Sequence, residues 1–598
     1  MHSYKAPLRD MRFVWDELLG CPQTFARLPG CEECTADIID AILSEAARFC
    51  EEQLAPLYRS GDEEGCTLTP QGVRTPKGFA DAYARYVEGG WAALSSPHEY
   101  GGQGLPPSIS LFVEDLLGSA NWAWAMYPGL SHGATRTMKA HGTPEQKKIY
   151  LSKLVSGEWT GTMCLTEAHA GSDLSMLRTR AEPRADGSYA ITGTKIFISA
   201  GDHDMADNIV HIVLARLPEA PAGTKGISLF VVPKKLPQPD GSLQPNAVSC
   251  GALEHKMGIN ASATCVMNFD GATGFLIGEA NRGLSYMFTF MNTARVGTAL
   301  QGIAAAELSY QGASAYALER LQGRSLAGPK NAAGAADPLI VHPNIRRMLL
   351  TQKAFAEGGR AFLYWLCHLV DIAERAPDPA ERKQAEDLMA LLTPIGKAFV
   401  TEIGYEAANL GVQVFGGHGY IREHGMEQIV RDTRIALIYE GTNAIQALDL
   451  IGRKIMGSGG ELLRVFARQV EEFCAANAGR EDMAAFVGAL RAHGKRLEAL
   501  TMHVAGAAMK NPEEADAAAF EYLMAMGYFV LGFMWARMAR VAQDALAAGS
   551  TERDFYEAKV ATARFYFQRV LPRFESLALC IEAGGETLVD MPAERFAR

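Results

Sequence analysis

Between about residues 159 and 278 the apolar residues stop recurring at helical spacing and instead alternate or run together, which no all-helical fold accommodates. Asn208-Ile209-Val210-His211-Ile212-Val213-Leu214-Ala215 and Gly226-Ile227-Ser228-Leu229-Phe230-Val231-Val232-Pro233 read as buried strands. Tyr189-Ala190-Ile191-Thr192-Gly193, after a turn at Ala185-Asp186-Gly187, and Cys265-Val266-Met267-Asn268-Phe269-Asp270 read as two more. Short strands divided by Pro and Gly turns, with no helix between them, predict a small antiparallel barrel or sandwich.

Helical spacing flanks this segment. Ile38, Ile39, Ile42 and Leu43 fall on helical positions, and Thr143-Pro144-Glu145-Gln146 carries a capping box with Pro in the first turn. Glu99-Tyr100-Gly101-Gly102-Gln103-Gly104 is a glycine loop between them. Helices resume at about residue 282 and run to Met456, with Asp432–Tyr439 expected as a strand-like exception. Leu326 to Asp337 is an Ala/Gly/Pro loop, and Phe415-Gly416-Gly417-His418-Gly419 is a turn where backbone can approach a ligand closely. Ala444, Ile445, Leu448, Ile451 and Ile455 are expected on one helix face. Gly457-Ser458-Gly459-Gly460 then marks the strongest boundary, with helices at Phe520–Val541 and Phe555–Leu571 beyond it. The expected fold is therefore mainly α with a central β-barrel. A helical domain spans 1–158, the barrel 159–278, a helical bundle 279–456 and an additional C-terminal helical domain 461–598.

A chain of 598 residues with 48% hydrophobic residues builds several large cores. Its formal net charge of −11 argues against a nucleic-acid or anionic-membrane partner. The 11 cysteines are odd in number and follow no framework spacing, so reduced thiols in a cytoplasmic protein are expected. Cys31-Glu32-Glu33-Cys34 has CxxC spacing but no second ligand pair follows, and His203, His211 and His418 fit no ligand pattern, so no metal site is expected. The stretch Met1–Pro7 lacks the apolar core of a signal peptide, and no uninterrupted apolar run is long enough to span a membrane.

Three strings carry chemistry. In Leu437-Ile438-Tyr439-Glu440-Gly441-Thr442-Asn443, a carboxylate stands between apolar residues and the start of a helix. Desolvation there suits it to act as a base. In Met163-Cys164-Leu165-Thr166-Glu167-Ala168-His169-Ala170-Gly171-Ser172-Asp173, a strand runs into a loop whose hydroxyls and close amides suit a phosphate or the edge of a heterocycle. In Gly193-Thr194-Lys195-Ile196-Phe197-Ile198-Ser199-Ala200-Gly201, alternation places Lys195, Phe197 and Ser199 on one face, where an aromatic beside a hydroxyl can cover a flat ring.

In this order and at these intervals, together with Glu99–Gly104, the strings resemble the acyl-CoA dehydrogenase family over roughly residues 30 to 456. The resemblance implies a helical domain, a β-barrel and a four-helix bundle, with FAD held between the barrel and the C-terminal helices. It implies oxidation of an acyl-CoA to the trans-2-enoyl-CoA, with Glu440 as the base. Leu165 and Thr166 would contact the flavin ring. Phe197 takes the place of a packing Trp, and Ser199 lies where the family has a hydroxyl near N5. Ser172 would lie at the CoA or pyrophosphate end, and Thr442 would hold the FAD pyrophosphate. Arg320, Gln413, Gly416 and Gly417 match contacts to the FAD of a neighbouring subunit. Asn292, Arg295, Tyr439 and Gly441 would join Ser172 in holding substrate.

Electrons would pass to an electron-transfer flavoprotein. The tail beyond Gly460 resembles a longer bacterial branch, expected to be homodimeric, whose substrates include 3-methylmercaptopropionyl-CoA and straight-chain acyl-CoAs. The chain departs from the family at Ala168-His169, where Pro-Gly is usual, and at Gly452, where many relatives place an Arg. Three alternatives stay open. One is an acyl-CoA oxidase delivering electrons to oxygen. Another is a DNA-associated flavoprotein of the same fold, against which the acidic balance weighs. The third is a membrane-attached enzyme docking through Met534–Arg540.

Overall fold

The computed structural model describes residues 4–597, so Met1–Ser3 of the N-terminal stretch lie outside the described residues. Two compact units emerge. One comprises Tyr4–Ala6 with Ile42–Gly297; the other joins Pro7–Ala41 to the chain from Thr298 onward. The opening helices therefore cluster with the later bundle, not with the rest of 1–158.

In the first unit the strands form a closed ring. Thr264–Ile277 pairs with Tyr189–Ser199, which pairs with Arg180–Pro183. That short strand bridges to Asn208–Arg216, which pairs with Ile227–Pro233, which returns to Thr264–Ile277. Closure removes the exposed edges that a sandwich would keep. Trp159–Cys164 pairs in parallel with Asn208–Arg216 and reaches the end of Tyr189–Ser199 through Thr162, and Val248–Leu253 adds antiparallel to Thr264–Ile277. The segments Asn208–Ala215 and Ile227–Pro233 are buried throughout, as their unbroken apolar runs require. Helices precede the barrel, including the 35-residue Pro107–His141 and the capped helix Pro144–Ser156. Thr143 and Gln146 form the expected reciprocal caps, and Gln146 also donates to the Leu276 carbonyl at 2.8 Å.

The second unit is built on three long helices, Pro343–Arg375, Pro379–Phe415 and Glu513–Ala547, which pack along one another with the end of Gly283–Glu319. The tail helices Glu461–Ala476, Ala484–Ala508, Arg553–Phe565 and Arg573–Glu582 pack around Glu513–Ala547. A buried charge network ties the opening segment to this tail. Asp10 accepts from Arg360 at 2.6 Å and is ion-paired with Lys559, which reaches Glu357 at 2.7 Å. Arg360 also donates to Glu307 at 2.9 Å. Burial alone would raise the Asp10 carboxyl, but Lys559 and Arg360 overcome that and hold it at about 2.

Two local expectations are corrected. Asp432–Tyr439 is no strand: the helix Met426–Thr433 tightens into a 3₁₀ turn over Arg434–Leu437 and then breaks. The apolar residues there serve a helix end, which a short apolar run cannot distinguish from a strand. The helix after Glu440 is also rotated from its expected face. Ala444 and Leu448 are exposed, whereas Asn443, Gln446, Ala447, Leu450, Ile451 and Ile455 are buried. Two polar side chains turn inward, Gln446 to donate to the Glu440 carbonyl and Asn443 to meet Lys397 and Glu402 of Pro379–Phe415, and a π-helical stretch over Asp449–Met456 shifts the later phase.

Among the described residues one helix, Glu513–Ala547, is long and apolar enough to cross a membrane, and 83% of its apolar window is buried in protein. Within Met534–Arg540, Arg537 lies over the Trp365 and Phe533 rings, both at 5.6 Å, so this segment is packed helix. Among the described residues the cysteines form no disulfide. Among the described residues no group of three His, Cys, Asp or Glu is placed to hold a metal ion. His203 bonds Thr160, His211 bridges the Val232 and Gly201 carbonyls, and His418 bonds Tyr316, so each has a structural partner.

Candidate active site

The barrel unit carries the loop Leu165–Asp173 and the end of strand Tyr189–Ser199, and it locks them together. Ile196 donates its N–H to the Thr166 carbonyl at 2.9 Å, and Lys195 donates to the Leu165 carbonyl at 2.9 Å. Thr162 donates to the Ser199 carbonyl at 2.6 Å. Lys195 is fully buried and pairs with Glu167 at 2.9 Å. Burial lowers the Lys195 ammonium to about 8, with Glu167 opposing. Burial would raise Glu167, but Lys195 and Thr179 outweigh it and hold the carboxyl at about 2. Glu167 also accepts the Arg178 and Thr179 N–H groups. Ala168 and His169, where relatives carry Pro-Gly, form the tip of a tight turn closed by reciprocal bonds between Glu167 and Ala170.

The single face expected for Lys195, Phe197 and Ser199 is not formed. The register against Thr264–Ile277 slips between Lys195 and Ile198, leaving an extra residue in the strand. Phe197 sits in this bulge with φ +58°, so Lys195 points into the barrel while Phe197 lies 60% exposed. Beyond it Ser199 is half-buried. A large aromatic ring held out of the core by a left-handed backbone is a costly arrangement without a ligand to cover it.

Ser172 lies exposed in the same loop, away from these bonds. Asn292 and Arg295 stand one turn apart on the helix Gly283–Glu319, Arg295 donating to Asn292 at 3.4 Å. Arg295 is buried over the Phe288 ring and Asn292 is exposed.

The helical unit carries the other set. Glu440 is half-buried with φ +58°, a conformation that side chains beyond Cβ disfavour. Gly441 follows with φ +88°, and Thr442 caps the next helix by accepting the Ile445 N–H at 3.3 Å. Tyr439 is anchored by its hydroxyl to Gln301 at 2.5 Å, and Gln301 donates to the Asp432 carbonyl at 2.9 Å.

Beneath the turn lie residues that the sequence reading missed. Lys397, 1% exposed, donates to the Gly441 carbonyl at 2.8 Å and to Asn443 Oδ1 at 2.9 Å. Its signal was legible: a lone lysine inside the apolar run Leu391–Val400.

Arg320, Gln413, Gly416 and Gly417 gather at one end of the bundle. Tyr316, one turn before Arg320, stacks on Phe415, which adjoins Gly416, with ring centroids 4.0 Å apart. All four residues are exposed, and a Cβ on Gly416 or Gly417 would meet nothing within 4 Å. The loop after Arg320 is organised by buried Asp337, which accepts N–H groups from Ser325, Lys330 and Asn331 and a bond from Arg324. These donors hold its carboxyl well below the usual range.

The donor set fits FAD. The barrel unit offers the exposed Phe197 ring, on the strand that also bears Ser199 and is bonded at Ile196 to Thr166, for a flat ring system. Uncrowded glycine backbone and an exposed guanidinium suit a pyrophosphate.

Sequence profiles place this architecture. Residues 38–158, 162–272 and 281–456 match the N-terminal, middle and C-terminal domains of acyl-CoA dehydrogenase, and residues 466–592 match the domain described as acetyl-CoA dehydrogenase C-terminal like. The chain is 43% identical to the 3-methylmercaptopropionyl-CoA dehydrogenase of Ruegeria pomeroyi, over 95% of this chain and 96% of that one. It is 33% identical to a broad-specificity linear acyl-CoA dehydrogenase of Mycobacterium tuberculosis over the full length of both. The fold is shared with Caenorhabditis elegans ACDH-11 in complex with C11-CoA (TM-score 0.78, 20% identity, 99% of this chain and 96% of that one). It is also shared with an acyl-CoA dehydrogenase complexed with FAD from Bacillus anthracis (TM-score 0.71, 23% identity, 93% and 89%). The chain belongs to the acyl-CoA dehydrogenase family, whose members are FAD-dependent flavoproteins. It is itself an acyl-CoA dehydrogenase, an oxidoreductase acting on an acyl-CoA thioester.

Proposed function

We propose that the enzyme removes hydrogen from Cα and Cβ of an acyl-CoA, 3-methylmercaptopropionyl-CoA foremost or else a medium- or long-chain straight acyl-CoA, with Glu440 as the base. The observation that carries the base assignment is its backbone: a half-buried glutamate forced to φ +58° between an anchored tyrosine and a helix cap. Such strain persists only where surrounding structure over-determines it. The substrate preference rests on similarity over nearly the whole chain to the Ruegeria enzyme.

The thioester carbonyl acidifies the hydrogens on Cα, and Glu440 takes one of them as a proton. Bound FAD would supply the acceptor for the Cβ hydrogen, which leaves as hydride. The Glu440 N–H is offered to the thioester oxygen, where charge builds as the proton leaves; a donor of this kind contributes about 3 kcal/mol. Thr166 and Ser199 orient the ring system through their hydroxyls, and Phe197 excludes water from one side. Arg320, Gln413, Gly416, Gly417 and Thr442 hold the dinucleotide's phosphates, with the first four serving a second copy of the chain in a homodimer. Ser172, Asn292, Arg295 and the backbone of Tyr439 and Gly441 hold the CoA thioester. An electron-transfer flavoprotein is the acceptor in this reading.

Glu440→Gln tests it. The variant is expected to bind FAD normally and to lose turnover by about a thousandfold, the scale of a positioned general base. Near-normal turnover would show that the base lies elsewhere. A panel of acyl-CoAs with ferrocenium as acceptor reads the substrate. Peroxide released without added acceptor would make the enzyme an oxidase instead.

A further inference from the structure

Glu440 and Gly441 are consecutive residues in the left-handed region, and the carbonyl of each is held by a buried side chain from a different helix. Gln446, fully buried on the helix that follows, donates to the Glu440 carbonyl at 3.4 Å. Lys397, on the long helix Pro379–Phe415, donates to the Gly441 carbonyl at 2.8 Å. Lys397 is itself fixed by Asn443 Oδ1 at 2.9 Å, and Asn443 is held through its amide by Glu402 at 2.9 Å and Thr401 at 3.1 Å. An ammonium in a protein interior is strongly disfavoured unless fully bonded, and a helix needing only to fill this space would use leucine. The cluster's bonds all converge on one four-residue turn, Glu440 to Asn443.

We infer that Lys397 is a positioning residue that aims the catalytic base. By clamping the Gly441 carbonyl, it keeps the Glu440–Gly441 turn from relaxing toward ordinary backbone angles, and so sets the direction in which the Glu440 carboxylate leaves the chain. Gln446 and Asn443 complete the brace. The charged group is kept because a neutral amide offers fewer donors at that depth. This rests on the assignment of Glu440 as base and adds what holds it on target.

The test compares holoenzyme carrying Lys397→Met, Glu440→Gln and both changes. For each, bound FAD, thermal unfolding and single-turnover flavin bleaching by butyryl-CoA and by 3-methylmercaptopropionyl-CoA are measured. Lys397→Met is expected to keep its FAD and to lose kcat by about a hundredfold, the scale of an ångström's misplacement of a reacting group. Its KM should move by less than about threefold. In the double variant Lys397→Met should add less than about twofold to the loss from Glu440→Gln, because aiming matters only when the base is present. A full multiplicative loss in the double variant, or wild-type kcat in Lys397→Met, overturns the inference. Normal turnover by Glu440→Gln overturns the base assignment instead. If Lys397→Met does not accumulate folded, Lys397→Arg keeps the charge but moves the donor; it carries the same expectation, and full activity in it is equally fatal.

Discussion

Phe197 and Glu440 share a backbone angle that costs a side-chain-bearing residue about 1–2 kcal/mol, and each stands where the chemistry is expected. The cost is useful only if the side chain so presented has work to do. Phe197→Gly separates the two effects. The glycine relieves the angle and removes an exposed ring, so the apoprotein should be no less stable than wild type in denaturant unfolding. FAD affinity should fall by about tenfold, ~1.4 kcal/mol, as the stacking surface is lost. Loss of apoprotein stability with unchanged FAD affinity would refute the role given to this ring. At this scale the sequence identified residue types better than directions. The string around Phe197 was legible as a strand, but its facing was not, because a bulge leaves no mark on an alternating pattern. The turn at Glu440 ahead of a helix was legible from its neighbours, whereas Lys397, 43 residues upstream, meets that turn only through the packing of two helices.

The paired loop and strand of the barrel show how an element is held from beneath. Lys195 and Glu167 neutralise each other in a dry interior, Lys195 also bonding the Leu165 carbonyl and Glu167 the Arg178 and Thr179 N–H groups beyond the loop. Removing one partner strands the other's charge, so Glu167→Gln should cost about 3–5 kcal/mol in denaturant unfolding and release FAD as the loop loosens. Lys195→Met added to Glu167→Gln should recover a good part of that cost. A double variant weaker than either single one would contradict a mutual neutralisation. A strand was readable where the apolar run was long, as at Asn208–Ala215, and a helix start where cap chemistry marked it, as at Thr143–Gln146. They were misread where runs were short, as at Asp432–Tyr439, whose apolar residues close a helix through a 3₁₀ turn.

For the molecule as a whole, the division read at Gly457–Gly460 is genuine as a break between helices. The helices on either side nevertheless belong to one compact unit with Pro7–Ala41. The buried network of Asp10, Arg360, Lys559, Glu357 and Glu307 had no sequence signal, because Asp10 and Lys559 each lie about two hundred residues or more from the other three members. It gives the fold a pH dependence with a definite sign. Asp10 is held at about 2 in the folded protein against about 4 in an unfolded chain. The unfolded chain therefore takes up the proton first, and the stabilisation, about 2 kcal/mol, is complete above pH ~5 and is lost as pH falls through ~4 toward ~2. Asp10→Asn should be less stable at neutral pH and show a shallower decline over that acid window. An unchanged slope in unfolding experiments would show that other carboxylates govern it.

Asp10 and Lys559 are 549 positions apart along the chain, yet they meet in one interior. On the ribosome the aspartate emerges long before its lysine, with the barrel made between them. The opening helices must therefore wait, uncommitted and partly exposed, while the barrel made in the meantime can already close. Anything that shields an early, unpaired segment during synthesis should matter more for the yield of this enzyme than for that of relatives lacking the tail.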